Sequence, residues 1–494
     1  MAKQFSSRRT TASVACVAAL ALVLTSCGGN DDDDDTAGGA ATTTAAGTTS
    51  PAASPTGDAS PSPTGDASAS PTGDASASPT ATGAAPGGDK CAPYAAYGDL
   101  KGKKVTAYSP IREKEADLLE ESWKDFQECT GVDIAHEGSG EFEAQLQVRV
   151  EGGNAPDLAF FPQPGLLAAQ AKNLKPAPAA VEKAVDENWS KDWKAYGTVD
   201  GKFLAAPLMA SMKSLVWYSP KTFTEKGYTV PKTWDEMIAL SDKMAGEDMK
   251  PWCAGIESQD ATGWVATDWL EDVMLREVGP EVYDKWQKHE IPFNDPQVAK
   301  ALDRVGSILK NDKYVNGGYG DVKSIASTAF QDGGLPILEG ECGLHRQASF
   351  YLANWPKEAK VAEDGDIFAF YLPPIDPAKG NPVLGAGEFV GAFADRPEVQ
   401  AVQAYLASGE WANSRVKLGG NISANKKLDI ANAQTPIDKL AVQTLQDPET
   451  VFRFDASDLM PAKVGQGTFW KGMTDWINGK STKEVLDQIE RSYS

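Results

Sequence analysis

Trp264 follows Ala261-Thr262-Gly263, and Asp268 stands four residues further on, so a helix starting there would carry the indole and the carboxylate on one face. A flat aromatic ring beside a carboxylate suits a ligand with apolar C–H faces and hydroxyl edges, as a sugar has; as a core tryptophan and a solvated acid, the same pair would need no ligand. Glu137, Ser139 and Phe142 surround the turn Glu137-Gly138-Ser139-Gly140, where side chains and backbone N–H groups at a helix start can meet hydroxyls, or where a glycine-rich turn simply caps a helix. Gln163 lies between Pro162 and Pro164 on a stiffened loop, where it either faces a ligand or belongs to a surface turn. His345-Arg346 follows Cys342 closely, and there Arg346 either offers two parallel donors to a ligand or joins a buried structural ion pair.

Motifs for bond-breaking chemistry are missing. Gly479-Lys480-Ser481 lacks the first glycine of a phosphate-cradling loop, since Thr474 occupies its place. With only His136, His289 and His345 there is no His-Glu-x-x-His zinc motif, and no Gly-x-Ser-x-Gly occurs. Neither a metal nor a cofactor is expected. Because tryptophans and carboxylates also build glycosidase sites, an exported glycoside hydrolase remains the alternative to a binding protein, with a surface adhesin as a third class.

The elements that must position these residues follow from periodicity. Lys104 to Ser109 predicts a strand, and Leu118, Leu119, Trp123 and Phe126 predict a helix from Glu113 to Cys129. A second strand at Gly131 to Ala135, a helix from Phe142 to Val150 and the apolar run Asp157 to Phe161 complete a strand–helix–strand–helix–strand order. That order implies an open α/β sheet whose ligands sit outside the carboxyl ends of the strands, at Glu137 to Phe142 and Pro162 to Gly165.

The first ninety residues address the chain. Met1 to Ser26 reads as a secretory signal, with Lys3, Arg8 and Arg9 ahead of the short apolar stretch Val14 to Leu24. Leu24-Thr25-Ser26-Cys27 resembles the lipobox of bacterial lipoproteins, which implies lipidation of Cys27 and anchoring at the extracellular face of the cytoplasmic membrane. Gly28 to Gly88 repeats Thr-Gly-Asp-Ala-Ser at Thr56, Thr64 and Thr72 and has almost nothing to bury, so residues 27–93 are read as a disordered linker. The net charge of −22 becomes −25 once the signal's three cations leave, which argues against nucleic acid as a partner. Of six cysteines, Cys16 leaves and Cys27 takes the lipid; the other four allow three pairings. Proximity in the chain favours Cys91 with Cys129 and Cys253 with Cys342, each closing a loop that would contribute roughly 4 to 4.6 kcal/mol.

The stretch Glu151-Gly152-Gly153-Asn154-Ala155-Pro156-Asp157-Leu158, then Gly201 to Pro207 through Ser214-Leu215-Val216-Trp217-Tyr218, then Val230 to Glu236, resembles the extracellular solute-binding proteins of sugar ABC importers. Lys250 to Ser258, Ala261 to Trp264 and Leu344 to Phe350 resemble the α-glucoside-binding branch, and Met460-Pro461 through Trp470 to Leu486 is similar to the corresponding region of maltose-binding-protein-like members. The resemblance implies an α/β fold of two lobes with a hinge and an interlobe cleft. It places residues 94–206 and 373–407 in lobe 1, and 207–372 and 408–494 in lobe 2. It makes Trp470 a stacking platform and brings Glu388, in Gly385-Ala386-Gly387-Glu388-Phe389, to the cleft, although a surface turn would account for Glu388 as well. It further implies an oligosaccharide or α-glucoside ligand, delivery to a membrane permease with a separate ATPase, and a monomeric receptor without enzymatic activity.

Overall fold

Two sheets organise the chain, and each crossing between them falls where a short polar or proline-rich segment interrupts strand periodicity. The computed structural model describes residues 91–315, 320–447 and 450–494, all within the unit Thr82–Ser494; Cys27, the signal and the linker up to residue 90 lie outside the described residues. The strands in chain order are β1 (Lys104–Ser109), β2 (Asp133–Gly138), β3 (Leu158–Phe161), β4 (Thr198–Val199), β5 (Lys202–Phe203) and β6 (Ala205–Met212). They continue with β7 (Leu215–Tyr218), β8 (Lys250–Trp252), β9 (Cys342–Arg346), β10 (Phe368–Tyr371), β11 (Val383–Ala392) and β12 (Phe452–Phe454). The first sheet runs β12-β11-β3-β1-β2 with β6 also paired to β11, and the second runs β10-β7-β9-β8; β4 and β5 form a small hairpin. β1 pairs in parallel with both β2 and β3, as the alternation of strands and helices requires, while β11 runs antiparallel to β3 and β6.

The expected N-terminal elements form, with β2 shifted to Asp133–Gly138 so that Glu137 and Gly138 belong to the strand, and with the first helix divided. The helix predicted over Glu113 to Cys129 is two helices, Glu113–Glu121 and Lys124–Thr130. At the break, the Ser122 hydroxyl donates to the Leu119 carbonyl and accepts from the Trp411 indole N–H at 3.0 Å, so a tertiary contact takes over from the helical ladder. Both favoured disulfides are present, Cys91–Cys129 and Cys253–Cys342, with Cα–Cα distances of 5.1 and 5.6 Å.

The chain passes from the first sheet to the second at Lys213-Ser214, between β6 and β7, and returns between β10 and β11. A return to the second half near Ser408 is not what the packing shows. Trp411 buries with Trp123 and Phe160 against the first sheet, Ala210 N–H donates to the Ile422 carbonyl at 2.9 Å, and β12 pairs with β11. The third passage therefore follows Phe454, because the helices over 409–446 have their apolar faces matched to β6 and its neighbours. Beyond Asp455, Met473, Trp476, Val485 and Ile489 bury with Val216, Trp252 and Leu344 of the second sheet. Among the described residues no helix is long and apolar enough to cross a membrane.

Candidate ligand-binding cleft

The carboxyl ends of β1, β2 and β3 open onto one cleft, where the parallel-sheet rule places a ligand. It holds about 1150 Å³ of space free of protein atoms, part of it open to solvent. Arg112 and Glu115 enter it after β1, Gly140 and Glu143 after β2, and Gln163 after β3; the opposite side carries Trp264, Phe330 and Phe350. The two walls approach closely at Gly140, where a Cβ would lie 2.0 Å from the Gln259 side-chain oxygen and the glutamine would have to turn aside.

Trp264 stands edge-on to Phe330 with ring centroids 5.1 Å apart and tilted to Phe350 at 6.0 Å, and the Lys213 ammonium lies 5.3 Å from its ring centre. Trp470 lines the same cleft at 3% exposure. It is reached because Gly263, at φ +113°, lets the start of the helix Trp264–Val278 pass against the Trp470 carbonyl, where a Cβ would sit 2.1 Å away. Glu388 falls where the β6–β11 register shifts between Gly387 and Phe389, a bulge that frees one residue of the ladder. Several buried polar atoms at the cleft have no protein partner: Glu143 Oε2, Gln163 Oε1, Asn421 Oδ1 and Trp470 Nε1. Buried polar groups are nearly always paired, so these atoms are free to bond a ligand or water in the cleft.

Charge in the cleft is also unevenly compensated. Burial pushes Glu115 and Glu388 up to about 7 each, against the downward pull of Arg415, which faces both; the Asn354 amide also donates to Glu115 at 3.3 Å. Burial likewise raises Glu143, although the Gln163 amide donates to it at 2.8 Å. An array of aromatic faces, acceptor-rich edges and unpaired amide atoms can hold a polyhydroxylated ring from several sides.

Residues 112–413 match the family described as bacterial extracellular solute-binding protein. This chain belongs to that family. Among its relatives, the osmoprotective compounds-binding protein GgtB of Synechocystis sp. (strain ATCC 27184 / PCC 6803 / Kazusa) is 41% identical over 401 residues, covering 80% of this chain and 94% of its own. The alpha-glucosides-binding periplasmic protein AglE of Rhizobium meliloti (strain 1021) is 38% identical over 408 residues, 80% of this chain and 88% of its own. Solved structures with the same fold include a chitin oligosaccharide binding protein, with TM-score 0.67 at 18% identity over 78% of this chain and 97% of its own. Another is the maltose-bound MalE3 of T. maritima, with TM-score 0.61 at 16% identity over 79% of this chain and 98% of its own.

In this solute-binding protein, all three passages between the sheets are gripped by one helix, Trp264–Val278. Its Asp268, Asp272 and Arg276 recur every four residues on one buried face, with Glu271 beside them. Lys213, at the first passage, donates to Asp268 at 2.8 Å and to Asp455, at the third, at 2.5 Å. Ser214 donates to Asp272 at 2.9 Å and accepts from the Leu384 N–H, while Arg276 donates to the Leu372 carbonyl of the second passage at 3.0 Å. Glu271 accepts the backbone N–H groups of Ala456 and Ser457 at 3.0 Å each. Burial works against the Lys213 ammonium, but Asp268 and Asp455 outweigh it and hold the lysine well above its ordinary value. Burial also works against the Asp455 carboxylate, and Lys213 with its hydrogen-bond donors keeps it ionised, while burial raises Asp268 to about 7. Asp268, Glu271 and Asp455 converge within 4.8 Å, and the ammonium bonded to two of them fills the role a cation would have.

Four of the sequence-predicted residues line the cleft together: Gln163, Trp264, Glu388 and Trp470. The others are placed elsewhere. Glu137 is exposed at the end of β2 and clasped by Arg149, whose hydrogen bonds lower its pKa. Ser139 accepts from the Glu141 N–H at 3.1 Å, closing the turn. Phe142 points into the core against Tyr108 and Phe161, because its helix turns the next residue, Glu143, to the cleft. Asp268 lies behind the cleft wall, bound to Lys213. His345 and Arg346 sit on the inner strand β9: His345 Nδ1 is 3.0 Å from the Cys253 carbonyl, and Arg346 donates to Asp272 at 2.8 Å, so the structural ion pair is the arrangement found. Burial lowers His345 to about 4, leaving it neutral.

The cleft residues not singled out from sequence fall into two kinds. Arg112, Glu115 and Glu143 obey the strand-end rule that pointed to Glu137. Lys213, Asn354, Arg415 and Asn421 carry no local signal. A Ser–His–acid relay is also present, with Ser109 Oγ 2.7 Å from His136 Nε2 and His136 Nδ1 3.0 Å from Glu120. Ser109 is fully buried, its Oγ accepts from the Ile111 N–H, and neither it nor His136 lines the cleft; the set joins β1, β2 and the helix between them.

Proposed function

We propose that this solute-binding protein captures an α-glucoside or a related oligosaccharide in the cleft and delivers it to the permease of an ABC importer whose ATPase is a separate chain. The observation that carries this reading is the joining, in one cleft, of the Trp264–Phe330–Phe350 wall and Trp470 with buried polar atoms that lack partners. The name of the R. meliloti relative, at 38% identity, supports the α-glucoside class. In the proposed mode, Trp264 and Trp470 stack on sugar faces. Gln163 and Glu388, with Glu143, Glu115 and Asn421, take hydroxyls at the edges. Lobe 1 comprises the first sheet with residues 373–454, lobe 2 comprises the second sheet with the C-terminal helices, and the three passages form the hinge. Capture closes the hinge because only the closed form contacts the sugar from both sides. The receptor acts as a monomer at the extracellular face, anchored through lipid on Cys27.

Calorimetry with maltose, trehalose, sucrose and longer glucans tests the reading, with a compacted radius of gyration in scattering expected on saturation. Absence of binding across these sugars would reject it. Release of glucose from maltose would make the protein a hydrolase instead.

A further inference from the structure

The cleft's lining carries six carboxyl side chains and three cationic ones, Arg112, Lys213 and Arg415. Two of the cations are already engaged. Lys213 is bonded to Asp268 and Asp455, and Arg415 donates to the Gly419 carbonyl at 2.8 Å while facing Glu115 and Glu388. Arg112 is only half-buried, beside Gly140 at the cleft edge. Of the buried atoms without partners, Glu143 Oε2, Gln163 Oε1 and Asn421 Oδ1 accept, while Trp470 Nε1 and Arg415 Nε donate.

Resting on the glycoside-binding reading, we propose that the cleft selects uncharged, hydroxyl-rich glycosides and excludes their carboxylated and phosphorylated counterparts, with Glu115 and Glu388 as the residues that enforce the choice. A hydroxyl can donate to each of the waiting acceptors, whereas an ionised carboxylate or phosphate only accepts and leaves them unmatched. Like charges also repel more strongly in a cleft shielded from water than in bulk solvent. Burial is the main cause of the rise of both glutamates to about 7, and Glu388 adds to it at Glu115, so a further negative charge would enter a cleft where water already does little to stabilise one. Arg415 could answer one anionic group, but doing so would strip Glu115 and Glu388 of their shared counter-charge.

The experiment is calorimetry on the full chain at pH 7.5 with two matched pairs: trehalose against trehalose 6-phosphate, and maltose against its 6′-uronic acid, which changes charge with little change in size. The neutral member of a pair should bind at least tenfold more tightly. In E115Q/E388Q, with folding checked by its melting curve, that ratio should fall several-fold. Uronate binding within threefold of maltose in the unsubstituted protein would overturn the proposal, and so would a ratio left unchanged by the double substitution. Failure of all four compounds to bind would remove the glycoside reading itself, and this inference with it.

Discussion

Replacing Lys213 by Met should destabilise the protein far more than loss of a surface lysine would. Lys213 is 5% exposed and, among the described residues, is the only cation hydrogen-bonded to both Asp268 and Asp455, which are themselves 0% and 1% exposed. Removing one partner of a buried ion pair costs about 3–5 kcal/mol, because the remaining charge stays out of water without compensation. With unfolding entropy of about 2.1 cal/mol/K per residue over about 400 folded residues, 4 kcal/mol lowers the melting temperature by about 5 °C. Part of the penalty is relieved when a stranded carboxylate protonates, so the deficit should shrink as the pH is lowered. Combining Lys213→Met with Asp268→Asn removes one of the two stranded charges, and the double variant should lose less than the sum of the single losses, by about 1–3 kcal/mol. Melting curves of the four proteins, recorded at two pH values, measure all of this. A Lys213→Met protein melting within about 1 °C of the parent, or strictly additive losses in the cycle, would refute the view that this ammonium clamps the first and third passages to one helix.

Other perturbations probe the cleft, its titration and the anchor. Trp470→Ala should weaken sugar binding at least about thirtyfold, or about 2 kcal/mol, and at 3% exposure it should also lower stability; Trp470→Phe, which keeps a platform, should recover most of the stability, and full affinity in the alanine variant would take Trp470 out of the site. Glu388 is raised by burial from 4.5 to about 7, so its contribution to the unliganded fold is complete below about 4.5 and is lost as the pH rises through about 7. The parent should therefore lose stability relative to Glu388→Gln across that window, by at most about 3 kcal/mol and less to the extent that water reaches the side chain; a pH-independent difference in melting would contradict the burial of this acid. Cys27→Ala should abolish lipid labelling and release the protein into the medium, and retention in the membrane fraction would point to another attachment.

What the sequence revealed about this cleft follows from how local each signal is. The β1–β3 run was legible because strand and helix periodicities need only a few residues, and the strand-end rule then pointed to the right loops. It erred by one residue at Phe142, since helical phase at a first turn is set by how the helix docks, and docking gave Glu143 the cleft. Trp264 and Asp268 were correctly placed on one helix four residues apart, yet they have different surroundings. The indole reaches the cleft, whereas the carboxylate lies under the wall, where Lys213 arrives from 55 residues away. That lysine had no signature, because what makes it important is the meeting of segments separated by 55 and 242 positions. The sequence beyond Ser408 was equally silent about its sheet: an amphipathic helix records that one face is covered, not which sheet covers it. The passages show why such silence concentrates here. A hinge must join two separately folded cores with short segments that belong fully to neither, so its residues lack the apolar periodicity of both. Lys213, Ser214 and Asp455 are polar and buried because the second and third dimensions of the fold, not the local pattern, supply their partners on the helix Trp264–Val278. In the proposed mode closure would act on these same segments, so the residues hardest to read from sequence would be the ones whose substitution most directly changes the balance between open and closed forms.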